Sequence, residues 1–167
     1  KITIVPRGMM LGMTQYTPDE QQYGSTRTQL TARLAYAMGG RAAEEIVFNE
    51  ISTGAYGDIK QATRIAHSLV CEYGMSESLG PVAWGERQEE VFLGRDYARR
   101  TQDYSEDTAQ RIDSEVRRLV SEAYEIARSV LVQNLHILHR VAQVLLEKET
   151  IDGPDFEKMV AQLNPTF

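Results

Sequence analysis

The chain has 167 residues, 42% apolar and 25% charged, which suits one domain with a sizeable core and argues against wholesale disorder. Its 18 Lys and Arg against 24 Asp and Glu leave a net charge of −6, which argues against nucleic acid as the main partner, because phosphate binding needs a basic face. The single cysteine, Cys71, excludes an internal disulfide, and the longest uncharged runs, residues 8–18 and 129–139, span 11 positions each, short of the ~20 apolar residues of a membrane-spanning helix.

In chain order, residues 2–6 and 11–16 are short β-prone runs separated by Arg7-Gly8, so a small β-ribbon is predicted. The chain opens on that run rather than on a leader, and is expected to be a piece of a larger protein. Residues 17–25 are polar and turn-rich. Thr26 with Gln29 fits a capping box, and Leu30, Leu34, Ala37 and Met38 follow at helical spacing. Gly39-Gly40 marks either a break or a place where another backbone packs closely against the helix, whose pattern resumes over residues 41–48. A small-residue loop, 49–57, leads into a second helix over 58–73, with Gly74 as its C′ residue. Residues 75–94 read as irregular, with a short strand around 82–84. From Ser105 a long amphipathic helix carries Asp107/Arg111 and Asp113/Arg117 pairs at i,i+4. Helices over 134–147 and, capped by Asp152, to about residue 163 complete a helical bundle.

Most catalytic chemistries find no foothold. There is no Gly-x-Ser-x-Gly elbow, no phosphate-binding Gly-x-x-x-x-Gly-Lys-Ser/Thr loop and no His-x-x-x-His. His67, His136 and His139 read as structural or surface residues, Cys71 as a packed thiol, and the acidic run 86–90 as a solvated loop. Two places stand out. Asp58 opens a helix after a glycine-containing loop, which by itself suggests an N-cap or first-turn acid. Glu44-Glu45 lie on a helix that otherwise looks buried, where a structural ion pair is the plain expectation.

Taken together, several motifs resemble the FtsH family of membrane-anchored, ATP-dependent zinc metalloproteases of the AAA class. They are Lys1-Ile2-Thr3-Ile4-Val5-Pro6-Arg7-Gly8 with Leu11-Gly12; Gly39-Gly40-Arg41-Ala42-Ala43-Glu44-Glu45-Ile46; and Ser52-Thr53-Gly54-Ala55-Tyr56-Gly57-Asp58. Gly74-Met75-Ser76, Leu79-Gly80-Pro81, Glu90-Val91-Phe92-Leu93-Gly94-Arg95 and Glu149-Thr150-Ile151-Asp152 extend the likeness over nearly the whole chain.

The resemblance implies a mainly α (α+β) fold: an N-terminal β-ribbon, a helical zincin-like peptidase core over 1–95 and a C-terminal helical subdomain over 96–167. It implies zinc, held by two histidines of a His-Glu-x-x-His helix and by an Asp that corresponds to Asp58. Glu44 becomes a candidate to orient a ligating histidine. Leu11, Gly12, Met13 and Thr14 become the edge on which an extended substrate adds as a strand.

The His-Glu-x-x-His helix is expected upstream of Lys1, so no catalytic residue is expected in this chain and the chain alone is expected to be inactive. The parent is expected to be a homo-hexamer with ATP and magnesium at a separate ATPase module, degrading unfolded or membrane proteins. It would lie at the cytoplasmic face of the bacterial inner membrane, or in an organellar membrane, through segments outside this soluble piece. The rival readings are a metal-free pseudo-peptidase serving as a helical assembly platform, and an unrelated helical adaptor.

Overall fold

A computed structural model describes residues 1–6, 8, 12–15, 24–85 and 104–164. The chain is mainly helical with a small antiparallel sheet, and it divides into two compact units, Lys1–Tyr23 with Val130–Phe167, and Gly24–Ser129. The expected boundary at 95/96, the acidic run 86–90 and Leu11 lie outside the described residues.

In the first unit, β1 (Ile2–Thr3) pairs antiparallel with β2 (Met13–Thr14), giving the expected ribbon in shorter form. A third strand absent from the sequence reading, β3 (Thr150–Ile151), pairs with the other side of β1, so the order is β2-β1-β3. Thr3 ties the two ends together: its hydroxyl donates to the Glu149 carbonyl and accepts from the Thr150 hydroxyl. Helices α4 (Leu135–Lys148) and α5 (Gly153–Leu163) flank β3 and pack on each other. Asp152 stands at the N-cap position of α5, but its side chain makes no capping bond; it faces Lys1 Nζ at 3.8 Å instead.

The second unit is built on α1 (Arg27–Phe48) and α2 (Tyr56–His67). The capping box forms as expected: Thr26 Oγ1 accepts from Gln29 N, and the Thr26 N–H donates to Gln29 Oε1. Leu34, Ala42, Ala62, Ala66 and Val70 are fully shielded from solvent, so the facing stripes of α1 and of α2 with the turn that follows it make the core. The glycine pair does not break α1, which runs on to a left-handed Asn49. A 3-10 turn, Thr53–Ala55, leads directly into α2, which therefore starts two residues before Asp58. After His67 the backbone widens into one π-helical turn, Ser68–Glu72, and Gly74 takes the left-handed conformation expected of a C′ residue. A Cβ at Gly74 would stand 2.9 Å from Pro81 Cα, so close approach also demands glycine there.

Residues 82–84 form no strand; an isolated bridge, Ser76↔Gly80, closes a turn just before them, and Trp84 N donates to the Cys71 carbonyl. Helix α3 (Glu106–Gln133) follows, its buried stripe of Ile112, Leu119, Ala123 and Ala127 lying within the second unit. The sequence groups α3 with α4 and α5; by contacts, α3 as far as Ser129 falls in the second unit and the other two in the first. The expected Asp107/Arg111 and Asp113/Arg117 pairs do not form. Arg111 donates to the Ser78 carbonyl at 2.5 Å, and the ion pairs of α3 run from Arg118 to Glu115 and Glu122.

Candidate metal centre

Asp58 is the third residue of α2 and is exposed, so it is a first-turn acid and not the N-cap, which is Ala55. An acid there interacts favourably with the exposed N–H groups of the helix start. Its carboxylate makes no hydrogen bond or ion pair with any described residue, which leaves both oxygens available to a ligand. Across from it lies Gly40 of α1: a Cβ built at Gly40 would stand 3.4 Å from Asp58 Oδ2 and meet nothing else within 4 Å. The glycine the sequence flagged as a point of close approach thus faces a carboxylate rather than a backbone.

Glu44, one turn further along α1, is bound to the loop that launches α2. Its Oε1 accepts from Ser52 Oγ at 2.7 Å and its Oε2 from Ser52 N at 3.1 Å. These two bonds, the hydroxyl's first, hold the Glu44 carboxyl below the usual carboxylate range. Ser52 Oγ in turn accepts from Gly54 N at 3.0 Å, capping the 3-10 turn. Glu45 accepts from the Tyr124 hydroxyl, which raises the tyrosine's pKa. Neither glutamate takes the ion pair expected of it; hydroxyl donors from Ser52 and Tyr124 serve instead.

Among the described residues no group of three His, Cys, Asp or Glu converges on one point, so Asp58 stands as a single carboxylate ligand candidate. A carboxylate oxygen donor at a helix start, unpartnered among the described residues and facing a residue with no side chain, fits one position of a zinc site. Of the histidines, His67 lies 3.7 Å from the sulfur of Cys71 and His136 contacts the Leu163 carbonyl. Cys71 is 2% exposed, and burial pushes its thiol pKa up, as expected of a packed thiol.

Gly12, Met13 and Thr14 belong to the other unit. Met13 and Thr14 form β2, an outer strand of the sheet, and a Cβ at Gly12 would stand 3.0 Å from the Thr3 carbonyl oxygen. The sequence reading gave no role to Ser52 or to Gly40 as a neighbour of Asp58. Serine is a favoured N-cap residue, but the partner of Ser52, eight positions back on α1, is not legible from spacing.

Residues 1–159 match the peptidase family M41, and the chain belongs to that family. Compared with curated proteins, it is 48% identical over 159 residues to the ATP-dependent zinc metalloprotease FtsH 1 of Thermoanaerobacter sp. (strain X514), covering 95% of this chain and 26% of that protein. It is 51% identical to the ATP-dependent zinc metalloprotease FtsH of Slackia heliotrinireducens over 167 residues, 100% of this chain and 21% of the relative. With the FtsH of Chloroflexus aggregans it shares 46% identity over 168 residues, 99% of this chain and 26% of the other. The chain thus spans about a quarter of the length of these relatives.

Proposed function

We propose that the chain is the peptidase segment of an ATP-dependent zinc metalloendopeptidase, and that Asp58 supplies one zinc ligand. The observation that carries this is the free Asp58 carboxylate at the start of α2, opposite Gly40, within a segment that matches family M41. Bound zinc supplies Lewis acidity to the scissile carbonyl and to water. Asp58 would hold the metal with two histidines of a His-Glu-x-x-His helix, a motif these 167 residues do not contain, whose glutamate would take the proton from water. The outer position of β2 supports strand addition by an extended peptide, with Gly12, Met13 and Thr14 offering the backbone.

In the whole protein, ATP and magnesium act at a separate module, six copies close into a ring, and unfolded or membrane proteins are the substrates. The relatives' description as ATP-dependent zinc metalloproteases supports the ATP-dependent and zinc-dependent parts of that reading. Further segments anchor the protein at the cytoplasmic face of a bacterial inner membrane; among the described residues no helix is long and apolar enough to span one.

Asn in place of Asp58 keeps the shape and removes the anionic donor. In the full-length protein, Asp58→Asn is expected to lose zinc and peptide hydrolysis while keeping ATP hydrolysis and the native circular dichroism spectrum. If Asp58 served the helix start alone, the change would cost about 0.3–1 kcal/mol of stability and leave zinc in place. Full zinc content with normal proteolysis in this variant overturns the proposal.

A further inference from the structure

Helix α2 has no side-chain cap of its own: Ala55 occupies the N-cap position, and the polar anchoring of this end lies one turn earlier, at Ser52. Ser52 is held from α1 by both oxygens of Glu44, through its N–H and its hydroxyl, and the same hydroxyl receives Gly54 N–H. The turn so fixed runs without a gap into α2 at Tyr56, and Asp58 follows within that first helical turn. Gly54 completes the bracket, because a Cβ there would lie 3.1 Å from Ser52 Oγ and 3.2 Å from Glu44 Oε1.

We infer that Glu44 and Ser52 are positioning residues, which fix the start of α2 from α1 and so set where the Asp58 carboxylate stands. The bracket is a contact within this chain, with both Glu44 oxygens accepting from Ser52, and is distinct from a direct bond between Glu44 and a ligating histidine. A carboxylate ligand must be held in place before the metal arrives, and residues that orient ligands typically contribute about 10–100-fold to metal affinity. This inference rests on the reading of Asp58 as a zinc ligand.

The test uses the full-length protein, with zinc affinity measured by competition against a chromophoric chelator and ligand geometry by the visible absorption of the cobalt-substituted form. Ser52→Ala removes the hydroxyl but not the backbone bond, and is expected to weaken zinc binding about tenfold and to alter the cobalt spectrum. Ser52→Thr, which keeps a hydroxyl, is expected to restore both. Glu44→Gln, with one acceptor oxygen in place of two, should resemble Ser52→Ala, and the double variant should be no worse than the weaker single one.

Wild-type affinity and an unaltered cobalt spectrum in Ser52→Ala, alongside zinc loss in Asp58→Asn, overturn the inference and leave the ligand assignment standing. So does a Glu44→Gln effect that persists undiminished in the Ser52→Ala background, because Glu44 then acts by another route. Retained zinc in Asp58→Asn removes the ligand assignment, and the inference with it.

Discussion

Gly39 and Gly40 sit side by side within an unbroken helix, where each glycine costs about 1 kcal/mol relative to alanine. Their surroundings differ. A Cβ at Gly39 meets nothing within 4 Å, whereas one at Gly40 meets Asp58 Oδ2 alone. Gly39→Ala is therefore expected to raise stability by about 1 kcal/mol with no effect on metal. Gly40→Ala should bring a comparable gain in the thermal unfolding midpoint, yet place a methyl group against the carboxylate and lower the zinc content of the full-length protein. Equal zinc content in the two variants would show that the space beside Asp58 is not used. The sequence offered a helix break or a close backbone approach at this pair, and spacing alone could not decide between them or name Asp58 as the neighbour. The acidic first turn of α2 was legible because the signal is local; the Glu44–Ser52 bracket was not, because it joins residues across a loop.

Between elements, Glu115 of α3 makes a buried polar contact: it is 5% exposed although it lies on a helix rich in charge. Arg118 grips it with two N–H groups at 2.8 and 2.9 Å, and Ser76 Oγ donates to it at 2.9 Å. Ser76 Oγ also accepts from Leu79 N, so one carboxylate ties α3 to the turn that follows Gly74. These bonds, led by that from Arg118, bring the Glu115 pKa down from 4.5 to about 2. A carboxyl that holds its proton less tightly when folded stabilises the fold above its unfolded pKa and loses that contribution as pH falls through its folded value. The wild-type chain should therefore exceed Glu115→Gln in stability by roughly 2–3 kcal/mol at neutral pH. That margin should shrink as urea unfolding is followed from about pH 4.5 down to pH 2; a constant margin across the range contradicts it.

Helix existence, the capping box and the left-handed Gly74 were all readable, since each depends on residues within one or two turns. The expected i,i+4 pairs on α3 failed for the opposite reason: Arg111 finds the Ser78 carbonyl, 33 positions away. The strand expected at 82–84 met the same fate, since the chain there runs beside Cys71 and forms no ladder.

At the scale of the whole chain, the sheet is where sequence reading stopped short. Two-residue strands carry almost no periodicity, and nothing in the Thr150-Ile151 dipeptide marks it as the partner of Ile2-Thr3. Yet β3 makes the ribbon a three-stranded sheet, and two strands alone are marginal in water. A variant ending at Lys148 removes the Glu149 carbonyl that accepts the Ile4 N–H at 2.9 Å. Hydrogen exchange at Ile4 is expected to accelerate sharply in that variant; unchanged protection would mean that β1 holds without its second neighbour.

The same pairing also imposes an order of events during synthesis. The hydroxyls of Thr3 and Thr150 meet across 147 positions, whereas Gly24–Ser129 forms a compact unit of its own. At the roughly 5–20 residues per second of translation, β1 waits on the order of ten seconds for β3 to leave the ribosome. Throughout that interval the strand that becomes the centre of the sheet has an open side, an opportunity for chaperones or for the wrong neighbour.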